Sequence, residues 1–187
     1  MQDSQNALPG APDPRRVLPG QYNADPNHTQ VTWKLNHMGF STLSGQFGAK
    51  SGTITVDPTD LASTELEIVI DTAGLTATSQ MFQGHLRGKG FFDVGKFPEG
   101  RFVSRSVRQT GPTGAEVTGE LTIKGVTRAV NLTVEFVGAG DDPQAKVLTF
   151  GCHATGTILR SDFGFETGLP VVGDRVQLDI NVAFTKA

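Results

Sequence analysis

From Thr29 onward, apolar and polar residues alternate along most of the chain. Val31, Trp33 and Leu35 alternate with Thr32, Lys34 and Asn36, a period of two that predicts a half-buried strand. His37-Met38-Gly39 ends or bends it, and Gly45-Gln46-Phe47-Gly48 reads as a strand with glycine kinks. Ile54 and Val56 share a face up to Asp57-Pro58-Thr59-Asp60, a turn in which Pro58 fixes φ and Asp57 can cap its own backbone. Leu66, Ile68 and Ile70 then alternate with Glu65, Glu67, Val69 and Asp71. Between Arg101 and Val107 the alternation continues but both faces are mixed. Thr110–Gly114 predicts a hairpin loop, and Lys124-Gly125-Val126-Thr127 a tight turn between two strands with apolar faces at Val117–Ile123 and Val130–Phe136. Gly138 to Gln144 reads as a polar loop. Phe150, Cys152, Ala154, Gly156 and Ile158 share one side of a long strand, and the last strand, Arg175 to Thr185, turns Val176, Leu178, Ile180, Val182 and Phe184 inward.

About eight short strands with hairpin-length loops predict an all-β, antiparallel sandwich or barrel. Gly45, Gly48, Gly119, Gly151 and Gly156 fall inside strands, where a strongly curved sheet needs them, and this favours a closed up-and-down barrel.

One stretch breaks the pattern: Thr76 to Pro98, TATSQMFQGHLRGKGFFDVGKFP. Met81, Phe82 and Leu86 sit at offsets that can share one face of a short helix. Gly88 and Gly90 stop it, and Phe91-Phe92 follow. Two readings stand: a lid at one end of a barrel, or a loop that completes the core. Residues 1–21 are rich in Pro, Gly, Asn and Gln, which predicts a disordered or loosely attached arm ahead of a barrel domain at 22–187. The arm lacks an apolar h-region, so it is not a signal peptide. It is similar to the polar spacer that follows an export cleavage site, and reads as the start of a mature exported chain.

Composition narrows the function. A net charge of −3 with scattered Lys and Arg argues against a nucleic-acid partner. No apolar run approaches the roughly 18 residues of a transmembrane helix. Cys152 is the sole cysteine and reads as a small buried hydrophobe. His28, His37, His85 and His153 lack metal-ligand spacing, so no metal is expected. Neither a GxSxG elbow nor an HExxH helix is present. Asp162 and Glu166 flank Phe163-Gly164-Phe165, and with Arg160 they read as a structural ion pair at a barrel mouth rather than a catalytic pair. No catalytic residue is therefore expected. Twelve phenylalanines stand against one tyrosine and one tryptophan. Phe lines a cavity without bringing a polar atom that needs a partner, and an eight-stranded barrel is just wide enough for one small ligand. The phenylalanines read equally as ordinary core.

The order of motifs resembles a known family. Tyr22, Asp25–Thr29, Trp33, His37-Met38-Gly39 and Gly45-Gln46-Phe47 are similar to the opening of the YceI-like polyisoprenoid-binding family. His85-Leu86, Phe91-Phe92-Asp93-Val94, Phe97-Pro98 and Phe102-Val103-Ser104 resemble its centre, Val117–Thr127 its hairpin, and Arg160–Gly164 the motif before its last strand. One departure is Gln83-Gly84, where the family usually has a charged or polar pair before His-Leu. The resemblance implies a lipocalin-like barrel that binds a polyisoprenoid, quinone or fatty-acid-like lipid, a periplasmic location and a protein that is not an enzyme, and it leaves a homodimer open. It implies that Phe40, Phe47, Phe82, Leu86, Phe91, Phe92, Phe102 and Phe163 contact the lipid chain, and that His37, His85 and Arg160 meet its polar head. The other readings are a small enzyme acting inside the barrel, or a filled barrel whose function lies on its surface.

Overall fold

A computed structural model describes residues 8–187. Its strands are β1 (Gly20–Ala24), β2 (Gln30–His37), β3 (Ser41–Val56), β4 (Glu65–Ala77), β5 (Glu99–Gln109), β6 (Gly114–Ile123), β7 (Val126–Asp141), β8 (Leu148–Leu159) and β9 (Arg175–Lys186), with one α-helix, α1 (Gln80–Arg87), between β4 and β5. All pairings are antiparallel, and β3–β4 closes the sheet into a barrel.

Nine strands fill eight wall positions. Both β1 and β2 pair with β3 on one side and β9 on the other. They are two pieces of one stave, parted by residues 25–29. Buried side chains fall on Tyr22 and Ala24 before the gap and on Trp33 after it, so the inward parity changes from even to odd across it. Asp25 organises the gap. Its carboxylate accepts from Asn27 N at 2.9 Å and lies 2.5 Å from His28 Nδ1, while its own N–H donates to the Ala183 carbonyl at 2.8 Å.

The mixed faces of β5 have a cause. A bulge between Ser104 and Ser106 shifts the register against β6, so Phe102 and Val107 both reach the interior although their numbers differ in parity. Lys124 and Gly125, with φ of 51° and 77°, form the two-residue turn between β6 and β7, a backbone suited to the twist of a hairpin. Gly138 and Gly140 lie in β7, which runs on to Asp141, so the polar loop expected at 138–144 starts later.

Residues 1–7 of the expected arm lie outside the described residues. From Leu8 to Gln21 the chain is tied to the barrel: Ala11 bridges Ala139 through bonds of 3.0 and 2.9 Å, and Val17 is buried among Tyr22, Ile54, Phe150 and Phe184. Tyr22, fully buried, donates its hydroxyl to the Leu18 carbonyl at 2.7 Å. The glycines of β7 explain the docking, since a Cβ at Gly140 would overlap the Pro9 carbonyl.

The barrel's outside is polar. Glu67–Arg101 at 2.8 Å, Lys50–Glu99, Arg105–Glu120 and Arg108–Glu116 form ion pairs on exposed faces, where solvent screening leaves each with little weight in stability. Apolar inside and charged outside is the reverse of a membrane-spanning barrel. Among the described residues no helix is long and apolar enough to cross a membrane.

Candidate functional site

The barrel interior is not filled. A cavity of about 550 Å³ runs along its axis. On β3 alone its lining spans Leu43 to Val56, a rise of thirteen steps, which at about 3.3 Å per residue and a tilt near 40° is roughly 30 Å of axis. Two glycines keep this space open. A Cβ at Gly45 would overlap the indole of Trp33, and one at Gly119 would overlap the ring of Phe102. Each ring therefore lies flat over a neighbouring strand instead of pointing across the axis.

One end is covered by the segment between β4 and β5. Ser79 caps α1, its hydroxyl accepting from Phe82 N at 3.2 Å, and Gly88 ends the helix. Arg87 donates to the Leu75 carbonyl at 2.9 Å and Gln83 accepts from Ala77 N at 3.3 Å, tying the helix to the end of β4. Leu86 is buried, and Phe82, Phe91 and Phe92 pack against the same core cluster. Phe92 meets Phe47 of the wall at 5.1 Å and Phe165 at 4.8 Å between ring centroids. The segment both covers the cavity and completes the core, so the two readings of its sequence describe one arrangement. Met81 does not share that face; it is 86% exposed.

Residues 164–174 cover the rest of this end, and Arg160 holds them. Its Nε donates to the Gly173 carbonyl at 2.8 Å, Nη1 to Phe165 at 2.6 Å and Thr167 at 3.0 Å, and Nη2 to Val172 at 2.9 Å. Arg160 is 7% exposed and makes no ion pair among the described residues. Burial lowers its pKa, and the nearby Asp174 charge works against that shift. Asp174 itself accepts from Ser161 N at 2.8 Å and Ser161 Oγ at 2.7 Å. The ion pair expected with Asp162 or Glu166 is thus replaced by main-chain carbonyls, and Arg160, expected to meet the polar head, lines the cavity while it braces the loop.

Phe47, Phe82, Leu86, Phe91, Phe92, Phe102 and Phe163 line the cavity, as do His37 and His85 at its covered end. His85 stacks on Phe91, with centroids 4.7 Å apart. Phe40 lies outside, 87% exposed. The reason is the turn: Met38 and Gly39 take φ of 56° and 73°, and Phe40 N bonds back to the His37 carbonyl at 2.9 Å, which leaves Phe40 at the hairpin tip rather than in the wall. His153 is on the outer face, 3.2 Å from Asp179, and His28 lies in the gap of the split stave. Among the described residues no three metal-ligating side chains converge.

Several lining residues carried no separate signal in the sequence. Trp33, Phe136, Phe150, Phe165 and Phe184 also reach the cavity. Period-two patterning marked most of them as inward; it cannot mark which inward positions border open space. Cys152 lines the cavity too, and burial, with a smaller contribution from the Glu135 charge, pushes its thiol up to about 12.

The YceI-like domain matches residues 22–184, nearly the whole barrel. The chain belongs to the YceI-like family. A UPF0312 protein of Pseudomonas putida strain W619 is 34% identical over 173 residues, 91% of this chain and 89% of the relative. Among solved structures, BcnA of Burkholderia cenocepacia superposes with a TM-score of 0.73 at 26% identity, covering 86% of this chain and 98% of BcnA. A polyisoprenoid binding domain from Saccharophagus degradans shares the fold alone, at 14% identity and a TM-score of 0.64, over 89% of this chain and 98% of that one.

Proposed function

We propose that this YceI-like protein binds a long-chain isoprenoid or similar amphiphilic lipid along the barrel axis and serves as a periplasmic carrier or sequestering protein. The observation that carries the proposal is the cavity: about 550 Å³, walled almost wholly by aliphatic and phenyl side chains and open along roughly 30 Å of axis. At about 0.8 kcal/mol per buried methylene, burial of a chain of that length gives tight binding without a catalytic group. The proposed chain contacts are Phe47, Phe82, Leu86, Phe91, Phe92, Phe102 and Phe163. His37, His85 and Arg160, at the covered end, are the proposed contacts of the polar head. The likeness in fold to a polyisoprenoid binding domain makes an isoprenoid the natural first probe.

The test is titration with geranylgeraniol in vesicle-free buffer, followed through the fluorescence of Trp33, the one tryptophan and a residue of the cavity wall. Saturable quenching or a spectral shift is expected. Ala154, buried and facing the cavity, is the place to block it: Ala154→Phe should abolish the response while leaving the far-ultraviolet spectrum intact. Equal binding by the blocked variant would show that the cavity is not the site. Periplasmic location is tested by cell fractionation of the natively expressed protein.

A further inference from the structure

Of the large apolar side chains exposed among the described residues, Met38, Phe40, Met81 and Val171 all lie at the barrel end that α1 covers, and Phe40 and Met81 are 87% and 86% exposed. They come from three separate segments: the β2–β3 turn, the start of α1 and the 164–174 loop. The first and third are stitched together, because Met38 N donates to the Val171 carbonyl at 3.1 Å and Gly173 N to the Asn36 carbonyl at 2.8 Å. Three of the four are immediate chain neighbours of residues that line the cavity: Met38 of His37, Met81 of Phe82, and Val171 of Val172. At this end the same segments thus carry both exposed and cavity-lining side chains.

We propose that these four side chains form a membrane-docking tip, which dips into a phospholipid surface so that the ligand passes between bilayer and cavity without crossing water. This rests on the lipid-binding reading. Three observations select a bilayer over other occupants. First, the tip adjoins the end of a cavity whose proposed ligand resides in membranes. Second, charge does not favour a polyanion: Lys89, Lys96, Lys124 and Arg175 at this end are interspersed with Asp93, Asp162, Glu166 and Asp174, and Arg87 and Arg160 are engaged by main-chain carbonyls. Third, the area is small. Even at the roughly 200 Å² that one aromatic ring buries, four side chains, partly covered as they are, total less than the roughly 800 Å² per partner of a stable protein interface. Shallow insertion of a few side chains gives the weak, reversible attachment that a shuttle needs.

The test compares the full chain with the double variant Phe40→Ser, Met81→Ser. Both positions are solvent-facing, and circular dichroism checks that the fold is kept. The readouts are co-sedimentation with phosphatidylcholine vesicles, transfer of geranylgeraniol from donor to acceptor vesicles, and geranylgeraniol binding in vesicle-free buffer. The docking tip requires that the unaltered protein pellet with vesicles in a salt-insensitive way. It also requires that the variant lose at least about tenfold in partitioning and in transfer rate, with vesicle-free binding unchanged. Transfer by the variant at the unaltered rate, or no pelleting by the unaltered protein, overturns it. So does a dimer in sedimentation velocity that the two substitutions dissolve, which would make the patch a contact between copies. Loss of vesicle-free binding in the unaltered protein sinks the lipid reading instead, and pelleting then still decides the tip.

Discussion

Trp33 of β2 and Gly45 of β3 face each other across the ladder, and the indole fills the space in front of the glycine. A Cβ at position 45 would overlap the ring and lie 2.7 Å from the Thr76 carbonyl oxygen. Gly45→Ala therefore pushes the indole toward the axis. Overpacking of this kind costs about 1–3 kcal/mol, more than the 0.4–1 kcal/mol that losing a glycine returns through the unfolded chain. A lower urea midpoint with a shifted Trp33 emission is the expected result. An unchanged midpoint would mean that the ring has room to move.

Arg160 gives four donors to four carbonyls of one loop. Arg160→Lys keeps the charge but has neither the planar fork nor the reach for all four. The loss should be about 2–4 kcal/mol in urea unfolding, with new protease cleavage within 164–174. If lysine restores both midpoint and protease resistance, charge rather than the fork holds the loop.

The Asp25–His28 pair makes the split stave sensitive to pH. The Asp25 carboxylate, through its hydrogen bond, raises the His28 pKa above the ordinary 6.5, and the same bond holds Asp25 below its ordinary 3.8. A raised histidine stabilises fully below 6.5, and its contribution is lost as pH climbs through the folded value. A lowered carboxylate stabilises above 3.8, and its contribution is lost as pH falls through the folded value. The pair thus contributes most between those two pH values. Melting temperatures of the unaltered protein and His28→Ala should differ most near pH 5, between 3.8 and 6.5, and converge as pH rises through the folded His28 value. A constant gap across that range would leave the pair without a role.

Cys152, with its thiol at about 12, should be nearly inert. At pH 8 the thiolate fraction is about 10⁻⁴, against about 10⁻¹ for a thiol at the ordinary 9.0, so iodoacetamide should alkylate the native protein about 1000-fold more slowly than the urea-unfolded chain. Comparable rates in the two states would place the sulfur in an open, solvated setting.

The barrel was largely legible because period two survives wherever a strand is half-buried, as in Leu66–Ile70 and Val176–Phe184. It failed where the register breaks. The Ser104–Ser106 bulge exchanges the faces of β5, and the gap at 25–29 hides that β1 and β2 form a single stave. The cavity-lining phenylalanines could be proposed from the chain, but Phe40 could not be separated from Phe47, since only the positive φ of Met38 and Gly39 turns Phe40 outward. Arg160 was readable as important and not as a brace, because carbonyl acceptors leave no trace in residue types.

Residues 25–29 give the wall one point of slack. From Tyr22 to Val31 the chain advances nine residues while its partner in β3 retreats seven, from Ile54 to Phe47; between Ala24 and Gln30 it advances six against three on β9. The surplus is already absorbed there without disturbing either ladder. A residue added between Asp25 and Thr29 lengthens the surplus at the expense of the local Asp25 contacts but leaves both ladders in register, whereas the same insertion within an ordinary strand turns every later side chain to the opposite face. A reporter peptide can be grafted at this point with the hydrocarbon-facing lining left as it is.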